Sequence, residues 1–188
     1  MSVLLQTQGL GVSFGGVHAV KAVDFTLHRG ELRCLIGPNG AGKSTFFKLL
    51  SGQLKPTHGS CHFQAERISG LPPHRIARLG IGIKTQTPSV FDGLDVLENL
   101  RLAASRNQSA AQARQTAEQT LQRIDLSEHR HRLVGDLAHG QRQWVELGMI
   151  LASKPALVLL DEPAAGMTYQ EVRKTAALIK EINAHSTV

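Results

Sequence analysis

Residues 37–45 read GPNGAGKST, and this stretch decides the fold. Its spacing is G-x-x-x-x-G-K-[ST], running from Gly37 through Pro38, Asn39, Gly40, Ala41 and Gly42 to Lys43, Ser44 and Thr45. Glycines let backbone N–H groups curl around a phosphate without Cβ clashes. The loop leads into a helix, whose free N–H groups and dipole favour an anion. Lys43 supplies a cation for the β- and γ-phosphates, and Ser44 a hydroxyl for Mg²⁺. The flanks suit this reading. ELRCLIG (31–37) has the apolar positions of a strand, and KSTFFKLLSG (43–52) reads as a helix. Phe46, Leu49 and Leu50 share one side of that helix, and Gly52 stops it.

Working outward, VLLQTQGLGVSF (3–14) and AVDFTLH (22–28) read as strands broken by glycine. GSCHF (59–63) is a further short strand, PPHRIARLG (72–80) a helix begun by proline and ended by Gly80, and IGIKTQ (81–86) a strand. From about Asp95 to Asp125 the chain turns rich in Ala, Gln, Leu and Arg. Two helical runs are expected there, and the second places Ala110, Ala113, Ala117, Leu121 and Ile124 at helical spacing. Another helix is expected from about Gly140 to Ser153, before Pro155. ALVLLDEP (156–163) has the continuous apolar run of a parallel strand buried on both faces. YQEVRKTAALIKEINAH (169–185) reads as an amphipathic helix, and STV (186–188) as the start of one more strand. The pattern is α/β: a mixed sheet with flanking helices (1–87 and 155–188) and an inserted helical subdomain (88–154), in one continuous unit.

The second chemical element lies on the buried strand. LVLLDEP delivers Asp161 and Glu162 at the strand's C-terminal end, where ligands of open α/β sheets bind. Asp161 suits Mg²⁺ through its water shell. Glu162 is placed to polarise an attacking water as a general base.

Together these motifs resemble the ATP-binding-cassette ATPases. The order is GPNGAGKST, Gln86 at the end of IGIKTQ, LAHGQ (137–141), then LVLLDEP followed by AAGM. The usual family signature is LSGGQ, and LAHGQ stands at the matching distance before Asp161. The resemblance covers nearly the whole chain. It implies that Phe14, in VSFGG, stacks on adenine, and that Gln86 senses Mg²⁺ and the attacking water. It further implies that Glu162, Lys43 and Gln86 are catalytic, while Ser44, Gln86 and Asp161 stand on the metal side. Leu137, Ala138, His139, Gly140 and Gln141 would face the ATP held by a second subunit. Ala138 replaces the usual serine hydroxyl. His139 is left pointing at the phosphate or at solvent. Ala164 to Thr168 occupy the loop that meets the opposite subunit, where the common SALD ending is AGMT, so Thr168 stands in place of an aspartate. More narrowly, DEPAAGM, ARLGIGIKTQTPSVFDGLDVLENL and HGQRQWVELGMIL are similar to ATPases of the branched-chain amino-acid and urea importers, and HGQ followed by QWVELGM leans to the urea branch.

This resemblance implies ATP and Mg²⁺ as ligands and a homodimer, or a heterodimer with a second such ATPase. It implies membrane permease subunits as partners and, indirectly, a periplasmic solute-binding protein. The expected place is peripheral, on the cytoplasmic face of the inner membrane, with urea or short-chain amides as solute and branched-chain amino acids as the alternative. Pro88, Val90, Phe91 and Leu94 would line a groove for the permease, or Phe91 and Leu94 would be ordinary core. Trp144 is expected to pack rather than make contact. The family's switch histidine lies in a strand after the last helix, so the C-terminal end reads as truncated, and His185 is a poor substitute; weak turnover is the corollary. DNA-repair ATPases of the superfamily split their motifs with long coiled coils, and only about fifty residues part Gln86 from Leu137 here, without sustained heptads. Translation-factor ATPases usually fuse two cassettes, and a small-molecule kinase would not need LAHGQ.

Composition agrees. Hydrophobic residues are 41% and charged ones 19%, which allows an ordinary packed core. No apolar run approaches the roughly 20 residues needed to span a bilayer, and the first residues lack the pattern of a signal peptide. The formal charge of +6 favours an anionic partner. Its charges are scattered, without the aromatic interleaving of a single-strand groove, so no nucleic acid is expected. The densest run, HRHR (129–132), reads as a solvated loop. Cys34 and Cys61 show no metal spacing and read as buried thiols.

Overall fold

The computed structural model describes residues 2–85 and 89–188. Two strands open the chain, β1 (Val3–Phe14) and β2 (Val17–His28), antiparallel and paired from Val3–His28 to Phe14–Val17. Their two-residue turn is Gly15–Gly16, with φ of 52° and 88°. Both positive angles suit a type I′ hairpin, whose twist matches that of the strands. Next come α1 (Lys43–Leu50), β3 (His58–Phe63), β4 (Glu66–Arg67), α2 (Pro73–Arg78) and β5 (Ile81–Lys84). The helical stretch holds α3 (Val96–Ala104), α4 (Ala110–Arg123) and α5 (His139–Ser153); β6 (Leu157–Leu160) and α6 (Tyr169–Asn183) follow.

Among the described residues the first sheet runs β2-β1-β3-β4, all antiparallel. A second, parallel pair joins β5 to β6, with Ile81 opposite Leu157 and Lys84 opposite Leu160. Thr187 adds a parallel bridge to Leu157. Between these sheets lies one apolar cluster: Leu4, Leu5, Leu10, Phe63 and Ile68 meet Phe46, Leu49 and Leu50 of α1 and Ile81 and Leu157 of the parallel pair. Phe25 and Phe46 meet edge-on, their centroids 5.9 Å apart. Burying each such side chain contributes about 1.5–3 kcal/mol, so α1 is held by its inner face rather than by its short length. A second cluster joins α3, α4 and α5 through Val96, Leu100, Ala117, Leu121, Ile124, Val145 and Leu147. It reaches the sheet at Val158 and α6 at Leu178 and Ile182.

Capping sets the helix starts. Asp95, Ser109 and Thr168 each accept from the backbone N–H three residues on, and Glu98, Gln112 and Glu171 reach back to the cap's own N–H. These reciprocal boxes satisfy donors that a helix start leaves free, each contributing about 1 kcal/mol. Helix α5 ends at Lys154, whose φ of 49° places it in the left-handed region.

Two expectations need correction. ELRCLIG forms no strand among the described residues. Its ladder consists of the Arg33 N–H to Val188 carbonyl bond (2.9 Å) and the Val188 N–H to Glu31 carbonyl bond (3.0 Å). Leu32, Leu35 and Ile36 are exposed as a result. Cys34, on the same stretch, is therefore exposed and not a core thiol. Cys61 is buried, and desolvation pushes its thiol up to about 12. The helical spacing expected of Ala110, Ala113, Ala117, Leu121 and Ile124 is met by α4, whose first residue Ala110 is exposed while the other four are buried. The HRHR loop is also more tied down than a solvated run. Arg130 pairs with Glu118, and His131 Nδ1 lies 3.3 Å from Asp95.

Candidate nucleotide site

The phosphate loop turns on left-handed glycines: Gly40 has φ of 83° and Gly42, the residue before α1, φ of 84°. At Gly42 a Cβ would lie 2.3 Å from the Ala19 carbonyl oxygen, so β2 presses directly on the loop. Lys43 folds back over the loop, where its ammonium donates to the carbonyls of Gly37 (2.7 Å) and Pro38 (2.8 Å). A bound phosphate would compete for that ammonium, and a charge-assisted bond to it is the stronger kind. Pro38, Asn39 and Ala41 belong to the same turn, closed by the Ala41 N–H to Pro38 carbonyl bond of 3.2 Å, and Thr45 lies in the first turn of α1.

Across the sequence, α1 meets β6. The Ser44 hydroxyl donates to Asp161 Oδ1 at 3.4 Å, joining positions 117 apart. Both line a cleft of about 300 Å³ with Lys48, Lys84 and Thr85. A hydroxyl and a carboxylate oxygen side by side are hard oxygen donors of the kind Mg²⁺ takes together with phosphate. The residues therefore fit that ion.

Glu162 follows at the end of β6, exposed, with φ of 49°. A non-glycine residue in that region costs on the order of 1–3 kcal/mol, and such strain clusters at functional sites. The following loop is closed by the Ala165 N–H to Glu162 carbonyl bond of 3.1 Å.

Likeness to known proteins gives the family. The model described as ABC transporter matches residues 20–165, most of the chain. The chain belongs to the ABC transporter family. This ABC protein is accordingly an ATPase whose hydrolysis is coupled to transport. It is 35% identical to the high-affinity branched-chain amino acid transport ATP-binding protein LivG of Escherichia coli K12, over 97% of this chain and 78% of that one. The corresponding protein BraF of Pseudomonas aeruginosa is 33% identical, over 98% and 79%. Among solved structures, the ADP conformation of MJ1267, an ATP-binding cassette of an ABC transporter, superposes with a TM-score of 0.85 at 28% identity, covering all of this chain and 80% of that one.

The other sites expected of an ABC protein differ in exposure. Phe14 is exposed at the β1–β2 turn, opposite Val17. Gln86 and Pro88 lie outside the described residues. LAHGQ spans the start of α5. Leu137 is buried in the second apolar cluster. Ala138 is the cap residue; its N–H donates to Gln141 Oε1 at 3.1 Å, and no side-chain oxygen caps the helix. His139 is exposed, so of the two expected directions its side chain takes solvent, tethered to its own helix. Its Nε2 sits 3.2 Å from Gln143 Nε2, and its ring borders Gly166. Gly140 is buried against α6, where a Cβ would lie 2.1 Å from Glu171 Oε1. Glu171 itself is held by Thr168, whose backbone N–H and hydroxyl each donate at 2.8 Å. Those bonds keep its carboxyl below the usual range, the backbone bond contributing most. Thr168 thus works within its own chain as the cap of α6.

Trp144 packs as expected. Its indole N–H donates to the Thr175 hydroxyl at 3.2 Å, and the Lys174 ammonium sits 3.7 Å from the ring centroid. Phe91 is exposed, whereas Val90 packs on the second cluster. Two residues were not anticipated from sequence: Lys84 and Glu146 form a wholly buried ion pair beside the cleft. Strand alternation in IGIK gave no sign that a lysine would face inward. Capping boxes were legible as D-x-x-E, S-x-x-Q and T-x-x-E.

Proposed function

We propose that this chain is the ATP-hydrolysing subunit of an importer, and that it works as a head-to-tail pair, with itself or with a second such ATPase. The contact that carries this reading is Ser44 on Asp161, which brings the phosphate loop and the acidic strand end together. Lys43 leaves its two loop carbonyls to hold the β- and γ-phosphates. Mg²⁺, held by Ser44 and Asp161, would neutralise charge on the transferring phosphoryl group, and Gln86, outside the described residues, is the further residue we assign to the ion. Glu162 orients the attacking water and accepts its proton. The first turn of α5 from the other subunit, Ala138 to Gln141, offers backbone N–H groups to the γ-phosphate. Phe14 stacks on the adenine. Residues 88–154 form the helical subdomain that meets the permease, with exposed Phe91 on that side. The place assigned to the chain is peripheral, on the cytoplasmic face beside permease subunits; no described helix is long and apolar enough to cross a membrane.

Branched-chain amino acids are the solute this reading favours, because LivG and BraF align over nearly the whole chain. Urea or a short-chain amide is the second reading, favoured by the HGQRQWVELGM stretch along α5. Uptake of labelled leucine and labelled urea in a deletion strain separates them: loss of leucine uptake alone supports the first, loss of urea uptake alone the second.

Lys43→Ala tests the site. Removing the ammonium should weaken ATP binding at least about tenfold, the scale of one charged hydrogen bond, in an equilibrium measurement with labelled nucleotide. Unaltered affinity would remove Lys43 from the phosphate site. Ala138→Ser restores a cap hydroxyl at α5. We expect about 0.5–2 kcal/mol more stability and ATP-driven dimerisation that is equal or stronger by analytical ultracentrifugation. A large loss of dimer would show that the α5 start does not face nucleotide.

A further inference from the structure

Lys84 and Glu146 are 0% and 3% exposed, and Lys84 Nζ lies 3.3 Å from Glu146 Oε2. A buried ion pair gives up the hydration of both charges, and apolar residues of similar volume often serve stability equally well. Its position gives it a different use. Lys84 ends β5, one of the two parallel strands, and its carbonyl accepts the Asp161 N–H at 3.0 Å. Its side chain lines the same cleft as Ser44 and Asp161. Glu146 lies in the middle of α5, seven residues beyond His139, which at 1.5 Å per residue is about 10 Å along the rod.

Each carboxylate oxygen has a separate duty. Oε1 accepts the Ser89 N–H at 2.9 Å. Oε2 is buried without a hydrogen bond among the described residues and has the Lys84 ammonium at ion-pair distance. Glu146 therefore grips Lys84 before, and Ser89 after, the stretch that carries Gln86. Burial pushes its carboxyl up, opposed by the Ser89 bond and the Lys84 charge. A separation of α5 from β5 would take the buried Glu146 carboxylate away from its counter-charge, while Lys84 keeps its bond to the Thr85 carbonyl at 3.3 Å, so the pair ties α5 to the strand end.

We propose that the Lys84–Glu146 pair is a positioning link that makes α5, and with it residues 137–141, follow nucleotide occupancy at the Ser44–Asp161 cleft. This rests on the ATP site proposed above. The pair does not touch the reacting atoms; it sets where the α5 start is held relative to the sheet.

Trp144, the single tryptophan of the chain, is two residues from Glu146 and touches Lys174 and Thr175 of α6. Its fluorescence reports the seating of α5. The experiment titrates Mg-ATP into the full chain, into the Lys84→Met/Glu146→Leu double variant and into Glu146→Gln, with bound ATP measured separately by equilibrium dialysis. The double variant keeps the volume without the charges, and Glu146→Gln keeps the shape and the Ser89 bond should the double variant not fold. The unmodified chain should show a Trp144 change that saturates with ATP. The variants should bind ATP within about threefold of it, lose most of the Trp144 change and lower kcat about tenfold with KM little altered, a typical size for coupling between sites. A Trp144 change and kcat that persist in a variant that binds ATP would overturn the link, as would an unmodified chain that binds ATP with no Trp144 response. Absence of ATP binding by the unmodified chain would overturn the underlying site as well.

Discussion

Glu162→Gln should bind ATP normally, accumulate as an ATP-held dimer and hydrolyse about 10²–10⁴-fold more slowly, the usual contribution of a general base. Glutamine matches the volume of glutamate and still orients a water by hydrogen bonding, but it cannot take a proton. The location separates this effect from a folding defect: Glu162 is exposed, and its left-handed φ of 49° is a backbone cost that both residues bear. Asp161, one position earlier, keeps its contact to the Ser44 hydroxyl. Single-turnover hydrolysis, labelled-ATP binding and sedimentation velocity on one preparation distinguish the steps. Turnover within about twofold of the parent would take the proton-accepting role away from Glu162.

Gly42→Ala should be the most damaging change to the phosphate loop. Its new Cβ would stand 2.3 Å from the carbonyl oxygen of Ala19, a backbone atom that cannot swing aside, and 3.5 Å from Val20 Cγ2. The φ of 84° adds strain of its own. Either α1 must shift away from β2 or the loop must open, and both disperse the N–H groups that face phosphate. A loss of about 2–4 kcal/mol in stability is expected, with ATP affinity lowered at least a hundredfold. Gly40→Ala is the matched control. Its φ is 83°, yet nothing lies within 4 Å of the added Cβ, so only the conformational cost of about 1 kcal/mol applies. Thermal melts and ATP titrations of the two variants separate crowding from backbone strain. Equal effects would show that the approach of Ala19 does not decide the glycine.

Local chemistry was the readable part of this chain. The glycine spacing of 37–45, the apolar run of β6 and the 3.6-residue pattern of α4 each depend on near neighbours in sequence, and the observed elements follow them. Strand formation by 31–37 depends instead on what lies beside it in space, and Val188 pairs only at Glu31 and Arg33; the apolar pattern of Leu32, Leu35 and Ile36 carries no record of that. Cys34 was misplaced for the same reason. Lys84 and Glu146 escaped notice because a charged residue looks solvated until its partner, sixty-two positions away, is known to face it. The orientation of His139 was open in sequence because Gln143 and Gly166 come beside it only once α5 and the loop before α6 are packed together.

The stitching of residues 183–188 onto residues 30–33 bears on how the molecule is made. Gly30 N–H donates to the Thr187 hydroxyl across 157 positions, and the Asn183 amide donates to the carbonyls of Gly30 and Glu31. These bonds anchor the segment that feeds the phosphate loop. Closing so long a stretch of chain costs entropy that local helices never face, and such distant contacts slow folding. During synthesis the loop sequence emerges early, yet its mooring waits for α6. The segment that leads into the phosphate loop is therefore moored by contacts that the N-terminal half of the chain cannot make alone.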